Sequence, residues 1–192
     1  MPAPRATPAP DDRPLGLRFI TAVVNEPWAE LDAAAAQTRW AALSAAHGDA
    51  ALGARAAHAE RLAEATAELR AIYAEHDPAR VAASLNAALR AHGAPTELAQ
   101  LPDGRWATRP AIPIESSASD FVRTLAAAAL AQWFAERGRG AWGLCAAPGC
   151  ERAFIDEGRR APQRFCSPSC ATRTRVAAHR AERRSPSGTH TH

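Results

Sequence analysis

The chain has 192 residues, enough for one ordinary domain with a small appendage. Hydrophobic residues make up 47% of it but aromatic residues only 6%, and much of the apolar content is alanine, so the core should be helical and tightly packed. Residues 1–144 carry 14 Arg against 16 Asp/Glu, a net −2, while residues 145–192 carry 9 Arg against 4 Asp/Glu, a net +5. That asymmetry argues against a uniformly basic coat and points to an anionic partner for the C-terminal segment alone.

In chain order, residues 1–14 hold five prolines and read as a disordered arm. Leu15 to Val24 is a short apolar run with β-branched residues, open to a strand or to the start of the core, and Asn25-Glu26-Pro27 breaks it. Helix is expected from Trp28 to about His47, up to Gly48, and again from Ala51 to His76. In the second of these Leu62, Leu69, Ile72 and Tyr73 recur at helical spacing. Asp77-Pro78 is an N-cap with a first-turn proline, and Val81, Leu85, Ala88 and Leu89 form the next apolar stripe, ended by Gly93 and Pro95. Thr96 to Arg109 alternates about Pro102-Asp103-Gly104 as a β-hairpin does. Ser117 and Asp120 then open a helix over about Ala118 to Arg137 with a capping box. Gly138 to Gly143 reads as a flexible joint between a helical body, 15–137, and a module over 144–184, with 185–192 a disordered tail.

No run of about 18 apolar residues exists and no segment has the build of a signal peptide, so a cytoplasmic protein with no membrane partner is expected. In a reducing compartment, clustered cysteines favour metal over disulfides. Cys145-x4-Cys150 and Cys166-x3-Cys170 are two close pairs 15 residues apart, a spacing that lets four thiolates converge on one structural Zn²⁺. An iron–sulfur site, redox dithiols and free thiols are the competing readings. Pro148-Gly149 suits a tight knuckle. Ala153-Phe154-Ile155 and Arg164-Phe165 are expected to pair as a hairpin. Ser167-Pro168 should start a helix running to about Arg184 that carries the last ligand pair. Knuckle, hairpin and helix make a treble-clef-like module too small for its own core, so the metal would supply most of its folding free energy.

Nine arginines fall between Arg152 and Arg184. On a helix, Arg173, Arg180 and Arg184 lie within about 40° of one another, and Arg175, His179 and Arg183 form a second stripe. Such a helix can meet phosphates or enter a major groove. Nucleic-acid contact is therefore expected first at Arg175, Arg180, Arg183 and Arg184, then at Arg159, Arg160 and Arg164, with Arg173 a further candidate on the same helix. Competing uses are protein contact and a structural cap. Four thiolates and one Zn²⁺ sum to −2, and Arg173, nearest Cys170, is the arginine most suited to balancing that charge.

Residues Leu144 to Arg184 resemble the CGNR-type zinc finger. The resemblance rests on Cys145 and Cys150, the step Phe154-Ile155-Asp156, Arg159-Arg160, the step Phe165-Cys166-Ser167, and Cys170-Ala171-Thr172-Arg173. The last tetrad has Ala and Thr where the family has Gly and Asn, and Phe165 stands where the family usually has Trp. In that family a helical domain called ABATE precedes the finger. Residues Leu15 to Arg137 are similar to it in length and position, with Arg18-Phe19-Ile20-Thr21 a loose version of its opening motif. The resemblance implies a bacterial stress-induced transcription regulator.

Gly138-x-Gly140-x-x-Gly143 matches a dinucleotide fingerprint only formally, since it follows a helix and opens into cysteines. The seven histidines are scattered, and no nucleophile–base constellation is present. A four-cysteine zinc site has no open position, so no catalytic role is expected. The five tryptophans read as core or junction residues. The fold expected is mainly α (α+β): a helical domain with one hairpin, plus the zinc module. The function expected is a zinc-binding, DNA-binding regulator whose body senses a signal or dimerises. The alternative is an RNA-binding or protein-interaction adaptor.

Overall fold

The computed structural model describes residues 16–100, 104, 106–158 and 162–184, the last four of these by backbone only. The expected arm and tail, and the hairpin tip at Pro102-Asp103, lie outside the described residues. Six α-helices and two two-stranded antiparallel hairpins are found among them. No helix is long and apolar enough to cross a membrane.

The first apolar run is helix, α1 (Leu17–Val24), so the strand reading of it fails. Its buried residues Leu17, Ile20, Val23 and Val24 recur at three- and four-residue intervals, and burial of that stripe outweighs the strand preference of its β-branched residues. Gly16 caps it at φ 82°, and a Cβ there would stand 2.6 Å from Leu125 Cδ2, so both the backbone angle and the packing require glycine.

The expected helix from Trp28 is split. A 3-10 turn at Trp28–Glu30 precedes α2 (Ala33–Ala46), because Asp32 accepts from the Ala35 N–H as N-cap and starts a new helix. The expected helix from Ala51 also starts later. A 3-10 turn covers Ala50–Ala54, Arg55 is extended, and α3 spans Ala59–Ala74. Gln37 explains the interruption. Its amide donates to the carbonyls of Gly53 and Arg55 and its oxygen accepts from the Ala57 N–H, so this stretch satisfies its backbone without a helix.

Asp77 caps α4 (Pro78–His92) through the Arg80 N–H. Gly93 ends it in an extended rather than left-handed conformation, at φ −64° and ψ 145°. β1 (Thr96–Gln100) pairs with β2 (Trp106–Pro110), with Leu98 opposite Thr108. Ser117 caps α5 (Ala118–Arg137) by accepting from the Asp120 N–H.

The core gathers the inner faces of α1 to α5. Phe19, Trp40 and Phe121 pack edge to face at its centre, with centroids 5.4 to 6.4 Å apart. Trp28, Trp40, Trp133 and Trp142 are buried, and each indole N–H donates to a backbone carbonyl. Trp106 departs from the core assignment: it is 65% exposed on the hairpin.

Residues 138–143 are not a free joint. Gly138 terminates α5 by donating its N–H to the Phe134 carbonyl, and Ala141 and Trp142 are buried in the main core. Gly143 lies in β3 (Trp142–Leu144), where a Cβ would come within 3.2 Å of the Phe154 ring. β3 pairs with β4 (Ala153–Ile155), Gly143 opposite Phe154. The expected pairing of Ala153–Ile155 with Arg164-Phe165 is therefore incorrect. Arg164 and Phe165 are in no strand, although the Arg164 carbonyl accepts from the Ala146 N–H. α6 (Pro168–Arg184) completes the chain order.

Candidate metal centre

The β3–β4 hairpin holds the first cysteine pair in its loop. The Cys145 N–H donates to the Arg152 carbonyl and the Cys150 N–H to the Ala147 carbonyl, each at 2.9 Å, and Gly149 turns between them at φ 70°. The second pair lies at the start of α6. Ser167 Oγ accepts from the Cys170 N–H at 3.3 Å, the N-cap the Ser167-Pro168 step leads one to expect. Cys170 thus sits in the first helical turn, where the dipole favours a thiolate.

The four sulfurs lie within 4.8 Å of one another, and all four cysteines are free of disulfides. Cys150 and Cys166 Sγ are 3.8 Å apart, and Cys166 and Cys170 Sγ 3.7 Å. A tetrahedron with Zn–S bonds of about 2.3 Å has edges of about 3.8 Å. The donor set and spacing therefore fit one zinc ion, held by Cys145, Cys150, Cys166 and Cys170. Cys145 and Cys170 are buried, the other two half-buried, and Ala147 and Phe165 pack around them.

The protonation pattern fits a site that metal binding would complete. Burial pushes the Cys145 thiol up, but the N–H groups of Cys166 and Ala147 and the neighbouring sulfurs outweigh it and bring the thiol down to about 7. For Cys166, burial and the three neighbouring sulfurs push the thiol up to about 12. Zinc must displace the protons that remain. The Cys166 N–H, 3.4 Å from Cys145 Sγ, and Arg173 Nη2, 3.7 Å from Cys170 Sγ, place positive dipole and charge against the sulfurs.

Residues 142–183 match the CGNR zinc finger family. A comparison with curated proteins finds no match to the chain. The matched finger takes in all four cysteines, both strands of the second hairpin and most of α6.

The finger's expected contact residues are distributed unevenly. Arg173 turns back to the metal site, and Arg164 is exposed with its guanidinium 5.9 Å from the Phe165 ring centroid. Every residue from Arg175 to Arg180 is exposed; among the described residues Arg175 reaches only Thr172 Oγ1, at 3.4 Å. Arg159 and Arg160 lie outside the described residues, as do the side chains of Arg183 and Arg184 in the last turn of α6.

Three side chains hold the finger through contacts the sequence does not assign: Asp156, read only as part of a family step, Asn25, read only as part of a break, and Trp142, expected as a core or junction residue without a partner. Asp156 is 2% exposed; its Oδ1 accepts from the Gly158 N–H, and its Oδ2 from Arg139 Nη2 at 2.7 Å and from the Gln163 N–H at 3.3 Å. The signal for it is Asp156-Glu157-Gly158 directly after a strand, an Asx-turn sequence. Asn25 pairs with the backbone of Ala153, and Trp142 with the carbonyl of Ile72. No local pattern announces these last two, because their partners are 128 and 70 residues away.

Proposed function

We propose that the chain is a zinc-dependent, DNA-binding transcriptional regulator of the bacterial cytoplasm, with α6 contacting DNA and the helical body sensing a signal or mediating dimerisation. The observation that carries this is the exposure of the arginine-bearing helix α6 on every side from Arg175 to Arg180. Several arginines before the finger face carboxylates, among them Arg39 with Glu26, Arg80 with Glu75, Arg109 with Glu97, Arg123 with Glu68 and Arg139 with Asp156, while Arg61 and Arg90 have no carboxylate partner among the described residues. Arg175 and Arg180 of α6 have no carboxylate partner among the described residues, on a helix exposed on every side between them. A polar helix with no packing face gains little stability from its own chain, so a partner surface fits it. The cysteine site anchors its first turn, and unpaired guanidinium groups suit phosphate and guanine edges.

For the sensing role we point to a groove in the body. A half-open groove of about 330 Å³ lies between α4, the β1–β2 hairpin and α5, lined in part by Leu89, Thr108, Thr124, Leu125 and Gln132. Four cysteine ligands leave the metal no open coordination position, so we assign it no catalytic role. A stress-response role and an ABATE-like body rest on the sequence resemblance alone. The RNA or protein adaptor reading draws on the same helix, and Val176, 44% exposed among the arginines, is the residue that favours protein contact.

The test is titration of zinc-loaded protein with mixed-sequence duplex DNA at low salt, beside single-stranded RNA. Binding that prefers duplex supports the proposal. Undetectable duplex binding at low salt overturns it, and a preference for RNA moves the assignment to the adaptor.

A further inference from the structure

The knuckle hairpin is held by the helical body at both of its ends. Before the first ligand, Trp142 donates its indole N–H to the Ile72 carbonyl at 3.0 Å and packs beside Tyr73 and Phe134. After the second ligand, the carboxamide of Asn25 acts as a one-residue third strand on the outer edge of β4. Its Oδ1 accepts from the Ala153 N–H at 2.8 Å and its Nδ2 donates to the Ala153 carbonyl at 2.9 Å. Nδ2 also donates to the Thr21 carbonyl at 2.9 Å, which fixes the amide to α1. Arg70 Nη2 reaches the Glu151 carbonyl from α3. Trp142 stands three residues before Cys145, and Ala153 three residues after Cys150. A knuckle that loosens must pull on both anchors, and anchors that shift must move the ligands.

We propose that zinc occupancy and the order of the helical body are coupled in this protein, with Asn25 as a positioning residue for the metal site though it ligates nothing. Metal binding draws Ala153 and Trp142 into their contacts with α1 and α3, and any ligand whose affinity zinc changes through α1 must change zinc affinity by the same factor. The coupling is independent of what α6 contacts. Groups hydrogen-bonded directly to a metal ligand commonly change metal affinity 10- to 100-fold, and Asn25, which acts through Ala153, belongs at the low end of that range.

The experiment uses the full-length protein in two arms. In the first, zinc affinity is measured by competition with a chromophoric chelator for wild type, Asn25→Ala and Leu85→Ala, at a temperature where far-ultraviolet dichroism shows all three folded. Leu85 is a buried α4 residue outside the anchor contacts described above, and it controls for general destabilisation. Asn25→Ala is expected to weaken zinc binding about tenfold, and Leu85→Ala less than threefold. In the second arm, zinc is stripped from wild type and amide hydrogen exchange is followed; amides of α1 and of the C-terminal turn of α3 should lose protection. The proposal is overturned if Asn25→Ala changes affinity less than threefold, if Leu85→Ala weakens it as much, or if α1 keeps its protection without zinc. The second arm stands alone should Asn25→Ala fail to fold.

Discussion

Replacing Asp156 with Asn tests how the loop after β4 is held. The carboxylate takes three hydrogen bonds while 2% exposed, and its partner Arg139 is 37% exposed at the side chain. An asparagine can keep the Asx turn to Gly158 with its one oxygen, but its NH₂ then faces two donors, Arg139 and the Gln163 N–H. A charge-assisted hydrogen bond contributes about 1.5–3 kcal/mol, and Arg139 can recover part of its hydration, so the loss should be about 2 kcal/mol. For a chain of this size that lowers Tm by about 4–8 °C in a thermal melt of the zinc-loaded protein. A double-mutant cycle with Arg139→Ala should give a coupling of about 1 kcal/mol. The pH dependence has a definite sign. Burial alone would raise the Asp156 carboxyl, but Arg139 and the N–H groups of Gln163 and Gly158 outweigh it and hold it below its ordinary value. A depressed carboxylate stabilises the fold fully above its unfolded value, and this contribution is lost as pH falls through the lower folded value. The gap between wild type and Asp156→Asn should therefore narrow below about pH 4. A variant melting within about 1 °C of wild type at pH 7 would refute the reasoning.

Further outcomes follow from the site and the core. Zinc affinity should fall at least tenfold per pH unit between about pH 7 and 6, because thiols such as Cys166, pushed up to about 12, must release protons to bind; isothermal titration in buffers of different ionisation enthalpy counts those protons. Gly16→Ala should lower stability by about 2–4 kcal/mol in urea unfolding, since it adds a Cβ at φ 82° against Leu125; a loss under about 1 kcal/mol contradicts the packing described. Trp106→Ser should change stability by no more than about 0.5 kcal/mol, unlike substitution of the four buried tryptophans; a loss above about 1.5 kcal/mol would show the hairpin face is covered.

What the sequence makes legible here follows the range of the interactions. Asp77, Ser117 and Ser167 act on N–H groups three residues ahead, so the starts of α4, α5 and α6 read directly from the chain. The four ligands read from spacing because each pair closes within a short turn. Most misreadings fall where distant partners decide; the start of α2 is the exception, since Asp32 caps the Ala35 N–H three residues ahead. Gln37 supplies the backbone partners that let Gly53 to Ala57 leave the helix, and nothing within that segment signals it. Gly143 looks like flexibility but gives room for the Phe154 ring, so the end of the joint is a strand and the hairpin pairs earlier than expected. Trp106 carries the same local apolar signal as Trp142, yet only Trp142 has an Ile72 carbonyl and a Tyr73 ring to meet.

The contact assigned to α6 is tested most directly by the salt dependence of duplex binding. Zinc-loaded wild type is to be compared with a variant carrying Arg175→Ala, Arg180→Ala, Arg183→Ala and Arg184→Ala. Each phosphate contact adds about one unit to the slope of log affinity against log salt. The variant should keep its zinc and its melting profile while its slope falls by about 2–4 units. An unchanged slope and affinity in the variant would contradict the assignment of α6 as the DNA-contacting element.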